Sequence, residues 1–561
     1  MQAINANPIL ILIALIIIFM ILGLYASARV IAAAITRSRK NKKNEDEEES
    51  SANEGLQYSD ESGSGRLKIK YALSIIALIV PVIIIFSALL YGVMIAAEMF
   101  SVQGRSGREF LIFAMLITAA VAITAGIVGA LILSSKMARP IRKLLFHVEE
   151  LNNANNLSNI ANMKIHVAGC DELSAIGKEI NKMNKGLARA AEISSQLLQG
   201  KEIQKKFLPL EIGTGGNRLS SGFLDTEKAV FFGYYIGANE ISGDYFDYKE
   251  LGNDYYVIIK CDAAGKGIPA ALIMIQVATM FINHFNNWTP TDEGMWIENL
   301  VYQINGFIET LGFKDRFAAF TLCLFNSRTG ELHFCNAGDN VLNIFNAEEK
   351  KVISITLNET PAAGLLSNDM VVSKGGYRVQ TVNINRGDIL LLYTDGLEDS
   401  RHLFRNNANM EIKCRDGEAG MVHENHFVGQ KGELLGRERI HAIANAVMNR
   451  EVYRLKKWHT PETEQDLTFD FSGCSGSVEE IIVAIIACEK MFRCYRDPEA
   501  ANSKVSVGLK VDAFLQSHFA QYSDYCVQPH YCPGDDSHIY YNQLDEDVQE
   551  DDITILGIKR K

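Results

Sequence analysis

At 561 residues the chain is too long for one ordinary domain and points to about two to four folded units. A net charge of −12 with no broad basic face excludes nucleic acid as a general partner. The ten cysteines form no CxxC pair and read as reduced thiols in a cytosolic compartment. Cys526 and Cys532 are the exception, with a metal or a disulfide as their alternative reading.

The hydrophobic share of 48% is raised by the N-terminal part of the chain. Residues 9–35, 71–97 and 110–133 are each long enough to cross a bilayer, which takes about 20 apolar residues. The first lacks a basic leading region and exceeds a signal-peptide core, so it reads as an anchor, with a cleaved leader as the alternative. Arg37, Arg39, Lys40, Lys42 and Lys43 follow the first stretch, and Arg66, Lys68 and Lys70 precede the second. Lys136, Arg139, Arg142 and Lys143 follow the third. Basic flanks stay cytoplasmic, so the N-terminus is expected outside an inner (plasma) membrane crossed three times, with the bulk of the chain in the cytoplasm. The units in this order are 1–36 (first span), 37–70 (charged linker) and 71–134 (second and third spans). Membrane lipid is the partner they imply. Within the linker, 44–65 has the composition of disordered chain. Only residues 100–109 lie outside between spans, too few for a folded sensor.

Over 135–187, Pro140 can open a helix, and Leu144, Val148 and Leu151 recur at helical spacing. Leu173, Ile176, Ile180, Met183 and Leu187 do the same after an Asn-rich connector. Helix, connector and helix directly after a membrane span resembles a HAMP linker. The resemblance implies an all-α, parallel, dimeric coiled coil, hence a homodimer that passes shifts of helix packing onward. A plain amphipathic hairpin is the blander reading. A signalling helix is expected over 188–209, ending at Leu208-Pro209.

From Ala229 the pattern changes to short β-like runs at 230–236, 255–260, 321–325, 332–335, 341–345 and 389–392. Helices are expected near 269–284, 294–311, 435–448 and 478–495. Four acidic clusters lie at the edges of β-like runs. They are Ser242-Gly243-Asp244, Asp262-Ala263-Ala264-Gly265-Lys266-Gly267, Tyr393-Thr394-Asp395-Gly396 and Asp551-Asp552-Ile553-Thr554. Carboxylates delivered to strand ends without His or Cys suit hard divalent cations.

These motifs, with Ile268-Pro269-Ala270-Ala271-Leu272 and Asn336-Ala337-Gly338 between them, resemble the SpoIIE-type branch of the PPM metal-dependent Ser/Thr protein phosphatases. The resemblance covers roughly residues 200–560, and the domain is expected over 210–561. It implies an α/β sandwich of two packed sheets flanked by helices, and two Mn²⁺ or Mg²⁺ ions. Asp262 is expected to bridge both ions, joined at one by Asp244 and the backbone carbonyl of Ala263. Asp395 and Asp551 serve the other, and Asp552 supports the site. Asp262, Asp244 and Asp395 are the expected catalytic set. Gly265 and Lys266 are candidate phosphate contacts, Lys266 being equally a solvated loop lysine. The family usually has glycine where Ser242 stands and histidine where Asp339 stands. Asn336 and Asp339 read as a hydrogen-bonded turn, and His284 and His333 as surface residues. His402 is read as a contact to substrate or behind the metals. A stretch roughly within 400–547 reads as an insertion, either a docking or lid element or a tolerated loop.

The implied function is a membrane-anchored, signal-regulated phosphatase. Its substrate is phosphoserine or phosphothreonine on a regulatory protein, such as an anti-sigma-factor antagonist. The alternative is a pseudophosphatase that binds partners as a membrane receptor. A histidine-kinase or cyclase output lacks its motifs.

Overall fold

The computed structural model describes residues 91–92, 139–152, 172–213 and, with short gaps, 216–561. The three expected spans and the 44–65 linker therefore lie outside the described residues, apart from Tyr91 and Gly92. Among the described residues one helix, Ile268–Asn286, is long and apolar enough to cross a membrane. Its Ala270, Ile273, Met274, Val277, Ala278 and Phe281 are buried in the core of the second unit, which accounts for its apolar character.

Two compact units divide the chain at Ile193/Ser194. In the first, helices cover Arg139–Asn152 and the greater part of Glu172–Gln204. Leu144 and Asn184 are buried, and the Asn184 amide lies 3.4 Å from His147 Nε2. The connector between the helices is outside the described residues. The second relay helix and the signalling helix, expected as separate segments, are one continuous helix of 33 residues. It is rich in Ala, Lys, Glu, Gln and Leu, which lose little freedom in a helix. A 3₁₀ turn at Lys205–Phe207 ends it, and Leu208 before Pro209 is extended.

The second unit is built on two antiparallel sheets. Its first ten strands are β1 (Ser221–Asp225), β2 (Ala229–Ile236), β3 (Asp244–Gly252), β4 (Tyr255–Ala263), β5 (Ala318–Asn326), β6 (Glu331–Ala337), β7 (Val341–Asn346), β8 (Lys351–Thr356), β9 (Gln380–Asn383) and β10 (Ile389–Tyr393). One sheet has the order β3-β4-β5-β6-β9. The other runs β1-β2, then the C-terminal strand Ile553–Arg560, then β10-β7-β8. The last strand is thus threaded between β2 and β10. This central placement brings Asp551 and Asp552 beside the ends of strands more than 150 residues away.

Each face of the six-stranded sheet feeds a different core. Phe231, Leu390, Leu392, Leu556 and Ile558 point to the core shared with the five-stranded sheet and with helices Ile268–Asn286 and Glu298–Leu311. Phe232, Tyr234, Ile389, Leu391, Ile553 and Ile555 point the other way, onto helices Gly436–Asn449 and Val478–Arg493. The alternation follows from the two-residue period of a strand. Sheets inside and helices outside make the α/β sandwich that the sequence resemblance implies. Much of the stretch read as an insertion supplies its outer helix layer and a hairpin, Val452–Thr460 with Thr463–Asp470.

That hairpin has a clean alternation hidden by one residue. Leu455, Lys457, Leu467 and Phe469 are its inward positions. The fully buried Lys457 ammonium donates to the carbonyls of Met491, Phe492 and Cys494 at 3.1, 3.3 and 2.5 Å. It closes the C-terminal end of helix Val478–Arg493, where carbonyls lack partners within the helix. The other end of that helix carries a capping box between Ser477 and Glu480.

Candidate metal centre

The site begins with the register of β3 on β4, which sets Asp244 directly opposite Asp262. Asp262 lies within β4, where the sequence reading had placed it just past a strand ending at Lys260. The tight β3 entry depends on Gly243, since a Cβ there would stand 2.6 Å from the Ala263 carbonyl oxygen. Asp395 opens a short helical turn after β10, and its carboxylate lies close enough to Asp262 to raise it. The sharp turn requires Gly396, because a side chain would collide with the Asp552 backbone carbonyl. The four aspartates named from sequence thus converge on one corner, with Asp551 also adding its field at Asp262.

Their electrostatics are those of a pocket with excess negative charge. Burial pushes the Asp244 carboxyl well above the usual range, and Asp262 and Asp552 add to it. The hydrogen bond from Thr394 opposes the shift. Burial and the neighbouring Asp395 and Asp551 likewise raise Asp262, against the pull of Lys260. Carboxylates so placed hold protons unless a cation balances them. Among the described residues no group of three His, Cys, Asp or Glu side chains is closed to the spacing of a finished ligand shell. The all-oxygen donor set nevertheless fits a hard divalent ion, which would supply the missing positive charge.

Several neighbours orient this corner. Asp552 accepts from the backbone N–H groups of Ala238 and Gly243 at 2.8 and 2.9 Å, so it fastens the β2–β3 turn. Thr394 Oγ1 donates to Asp244 at 2.8 Å and accepts from Thr554 N at 3.0 Å. Gln204, the last residue of the long helix, clamps both backbone atoms of Ser242. Its Nε2 donates to the carbonyl at 2.5 Å and its Oε1 accepts from the N–H at 3.0 Å. Thr394 was quoted in its motif without a role. The role of Gln204 is not legible in the sequence, because its partner lies 38 residues away.

Both departures from the family pattern are accommodated. Ser242 Oγ accepts from the Asp244 N–H at 3.0 Å. The Asp339 carboxylate pairs with the buried Lys260 at 2.7 Å and accepts from Thr321 Oγ1 at 2.5 Å. Lys260 is two residues from Asp262 on the same strand face, yet its charge is taken by Asp339. Asn336 forms the expected turn, donating to the carbonyls of Asp339 and Asn358 at 2.7 and 2.9 Å. Lys266 lies 3.6 Å from Asp551 and donates to the Glu550 carbonyl. Its neighbour Gly265 has φ +95° and touches Arg316.

Other readings are corrected or placed. His402 is wholly buried, 3.0 Å from Asp547 and in contact with Phe492, so it has no surface open to a substrate. Burial pushes it down to about 4, with the charges of Lys457 and Arg405 acting in the same direction and Asp547 opposing them. His333 pairs with Thr381 at an exposed position, and His284 flanks Phe285 at a helix end. Cys526 and Cys532 are both free thiols.

A two-sheet sandwich with aspartates gathered at its strand ends defines a PPM-type phosphatase fold. Residues 252–448 match the family model of Stage II sporulation protein E (SpoIIE), and the chain carries a SpoIIE-type PPM phosphatase domain. Protein IcfG of Synechocystis sp. is 25% identical over 228 residues, 37% of this chain and 33% of that relative. The match thus spans about a third of the curated relative's length. Among solved structures, the SiaA-PP2C domain of Pseudomonas aeruginosa is 16% identical with a TM-score of 0.34, covering 66% of this chain and 98% of that one. The catalytic domain of the serine threonine protein phosphatase PstP in complex with 2 manganese ions is 9% identical with a TM-score of 0.29, covering 59% and 98%.

Proposed function

We propose that this chain is a metal-dependent phosphatase acting on phosphoserine or phosphothreonine of a regulatory protein. The observation that carries the reading is the Asp244–Asp262 pair facing across β3 and β4, with Asp395 and Asp551 as the charges beside Asp262. Asp244, Asp262 and the Ala263 carbonyl would hold one Mn²⁺ or Mg²⁺ ion, and Asp395 and Asp551 the second, with Asp262 shared. Two such ions supply an activated water and neutralise the charge of a phosphoryl group, whose uncatalysed hydrolysis is extremely slow. Thr394 and Ser242 fix Asp244 for this task, and Asp552 holds the turn that carries it. Full-length protein should hydrolyse an aryl phosphate in the presence of Mn²⁺, and Asp262→Asn should not. Activity in neither protein, with both folded, would leave only the partner-binding role of a pseudophosphatase.

The same proposal places the chain in the inner membrane as a dimer. Three apolar stretches with basic flanks support the membrane reading. The helix Glu172–Gln204 exposes Ile176, Met183, Leu187, Ile193, Leu198 and Ile203, an apolar set suited to a partner helix from a second copy. Labels at Ser101 or Ser106 should react from outside the cell, and labels within 44–65 only after the membrane is opened. External labelling of 44–65 would invert the topology.

A further inference from the structure

We infer that Arg316 is a phosphoryl-contacting residue of this site, a role that rests on the phosphatase reading above. Arg316 stands just before β5, beside the loop that leaves Asp262. Ala264 N donates to the Phe317 carbonyl at 2.8 Å, and Arg316 Nη1 donates to the Ala264 carbonyl at 2.9 Å. Its guanidinium, Nη1 foremost, lies against Gly265 so closely that any Cβ there would overlap it. Gly265 also has φ +95°, a conformation side chains rarely adopt, so backbone and steric demands coincide at this residue. The glycine thus makes room for a cation one residue beyond Ala264 and two beyond the Ala263 carbonyl.

The neighbouring cations are already engaged. Lys260 is paired with Asp339, and Lys266 with Asp551 and the Glu550 carbonyl. Arg316 is held through one Nη1 bond to a neutral carbonyl, and among the described residues no carboxylate forms a salt bridge with it. A guanidinium presents five donors in a planar fork that matches phosphate oxygens. Held by one N–H on the loop, the fork keeps the rest for a phosphomonoester dianion arriving at the aspartates. A free lysine would offer charge there without the fixed geometry.

The experiment uses full-length protein with Mn²⁺, para-nitrophenyl phosphate as substrate and inorganic phosphate as a separate binding probe. Arg316→Ala should raise both KM and the inhibition constant of phosphate by about 10- to 100-fold, the range of a lost charge-assisted bond. The Mn²⁺ activation midpoint should stay unchanged. Arg316→Lys, which keeps the charge and the fold, should recover only part of the loss. Phosphate-induced thermal stabilisation, measured without turnover, should weaken in the same order. Unchanged KM and phosphate affinity in both variants would overturn the role of Arg316 while leaving the phosphatase reading intact. An inactive wild type that still binds phosphate through Arg316 would overturn the phosphatase reading alone.

Discussion

Two clusters of buried charge, one among the outer helices and one at the strand ends, differ in balance. Behind the sheet, Asp547 takes the Arg405 guanidinium and His402, while Arg493 is shared by Glu489 at 2.5 Å and Glu546 at 3.1 Å. Lys490 adds a further cation to Glu546 at 2.5 Å. Each carboxylate there has a positive partner. At the strand ends in front, Asp244 and Asp262 face each other and Asp395, and the nearest buried cation, Lys260, is spent on Asp339. A balanced cluster is a finished structural joint, whereas an unbalanced one awaits a charge from outside. Balance, more than burial, separates the supporting network from the site.

The largest effect should come from the unbalanced side. Asp262→Asn keeps shape and removes one negative charge, so it should lower turnover on the order of 10²–10³-fold or more and weaken Mn²⁺ binding. Folding should be unaffected, because relief of carboxylate repulsion offsets lost contacts. Near-normal turnover in this variant would dissolve the contrast between the clusters. On the balanced side the pattern reverses. Arg493→Ala strands Glu489 in the core, and loss of one partner from a buried pair typically costs about 3–5 kcal/mol. The urea midpoint should fall sharply, while activity per folded molecule stays near wild type. A selective loss of activity without destabilisation would make this network part of the catalytic machinery.

A smaller effect is expected where the long helix meets the site. Gln204→Ala removes two hydrogen bonds to Ser242, whose hydroxyl in turn holds the Asp244 N–H. The net contribution is about 1–2 kcal/mol, so Mn²⁺ affinity or turnover should drop by roughly 5- to 30-fold at most. Adding single residues near Ala190 should modulate activity with a helical phase, since each residue rotates the helix by about 100°. Identical rates across the insertion series and in Gln204→Ala would reduce the helix to a tether.

The sequence was readable where chemistry concentrates and opaque where partners are remote. Asp244, Asp262, Asp395 and Asp551 each lie at the edge of a β-like run, and the structure gathers them in one corner. The supporting residues were not legible, because their meaning lies in pairings across distant segments: Gln204 with Ser242, Lys260 with Asp339, Arg316 with Gly265. The Val452–Asp470 hairpin escaped notice because Lys457 occupies an inward position that a polarity pattern assigns to solvent. His402 misled for the opposite reason. Its closeness in sequence to Asp395 suggested the site, but the chain after β10 turns toward the outer helix layer, where His402 meets Phe492.

The smallest expected effect concerns His402 and sharpens the comparison through pH. Its folded value is pushed down to about 4 from an ordinary 6.5, chiefly by burial. Between these values the unfolded chain takes up a proton that the folded chain refuses, so stability falls as pH drops from about 6.5 toward 4. Above 6.5 the contribution is complete and flat. A neutral ring donates Nδ1–H to Asp547, and its buried Nε2 is left without a hydrogen-bond partner. His402→Gln can keep a donor toward Asp547 and cannot titrate. The urea midpoint of wild type should therefore decline more steeply than that of the variant between pH 6.5 and 5, with the two curves parallel above pH 7. Mn²⁺-dependent turnover at pH 7.5 should be the same in both proteins, since His402 belongs to the balanced cluster. Parallel midpoints through the whole acid range would show that His402 is already charged in the fold, and that the network behind the sheet carries an extra positive charge.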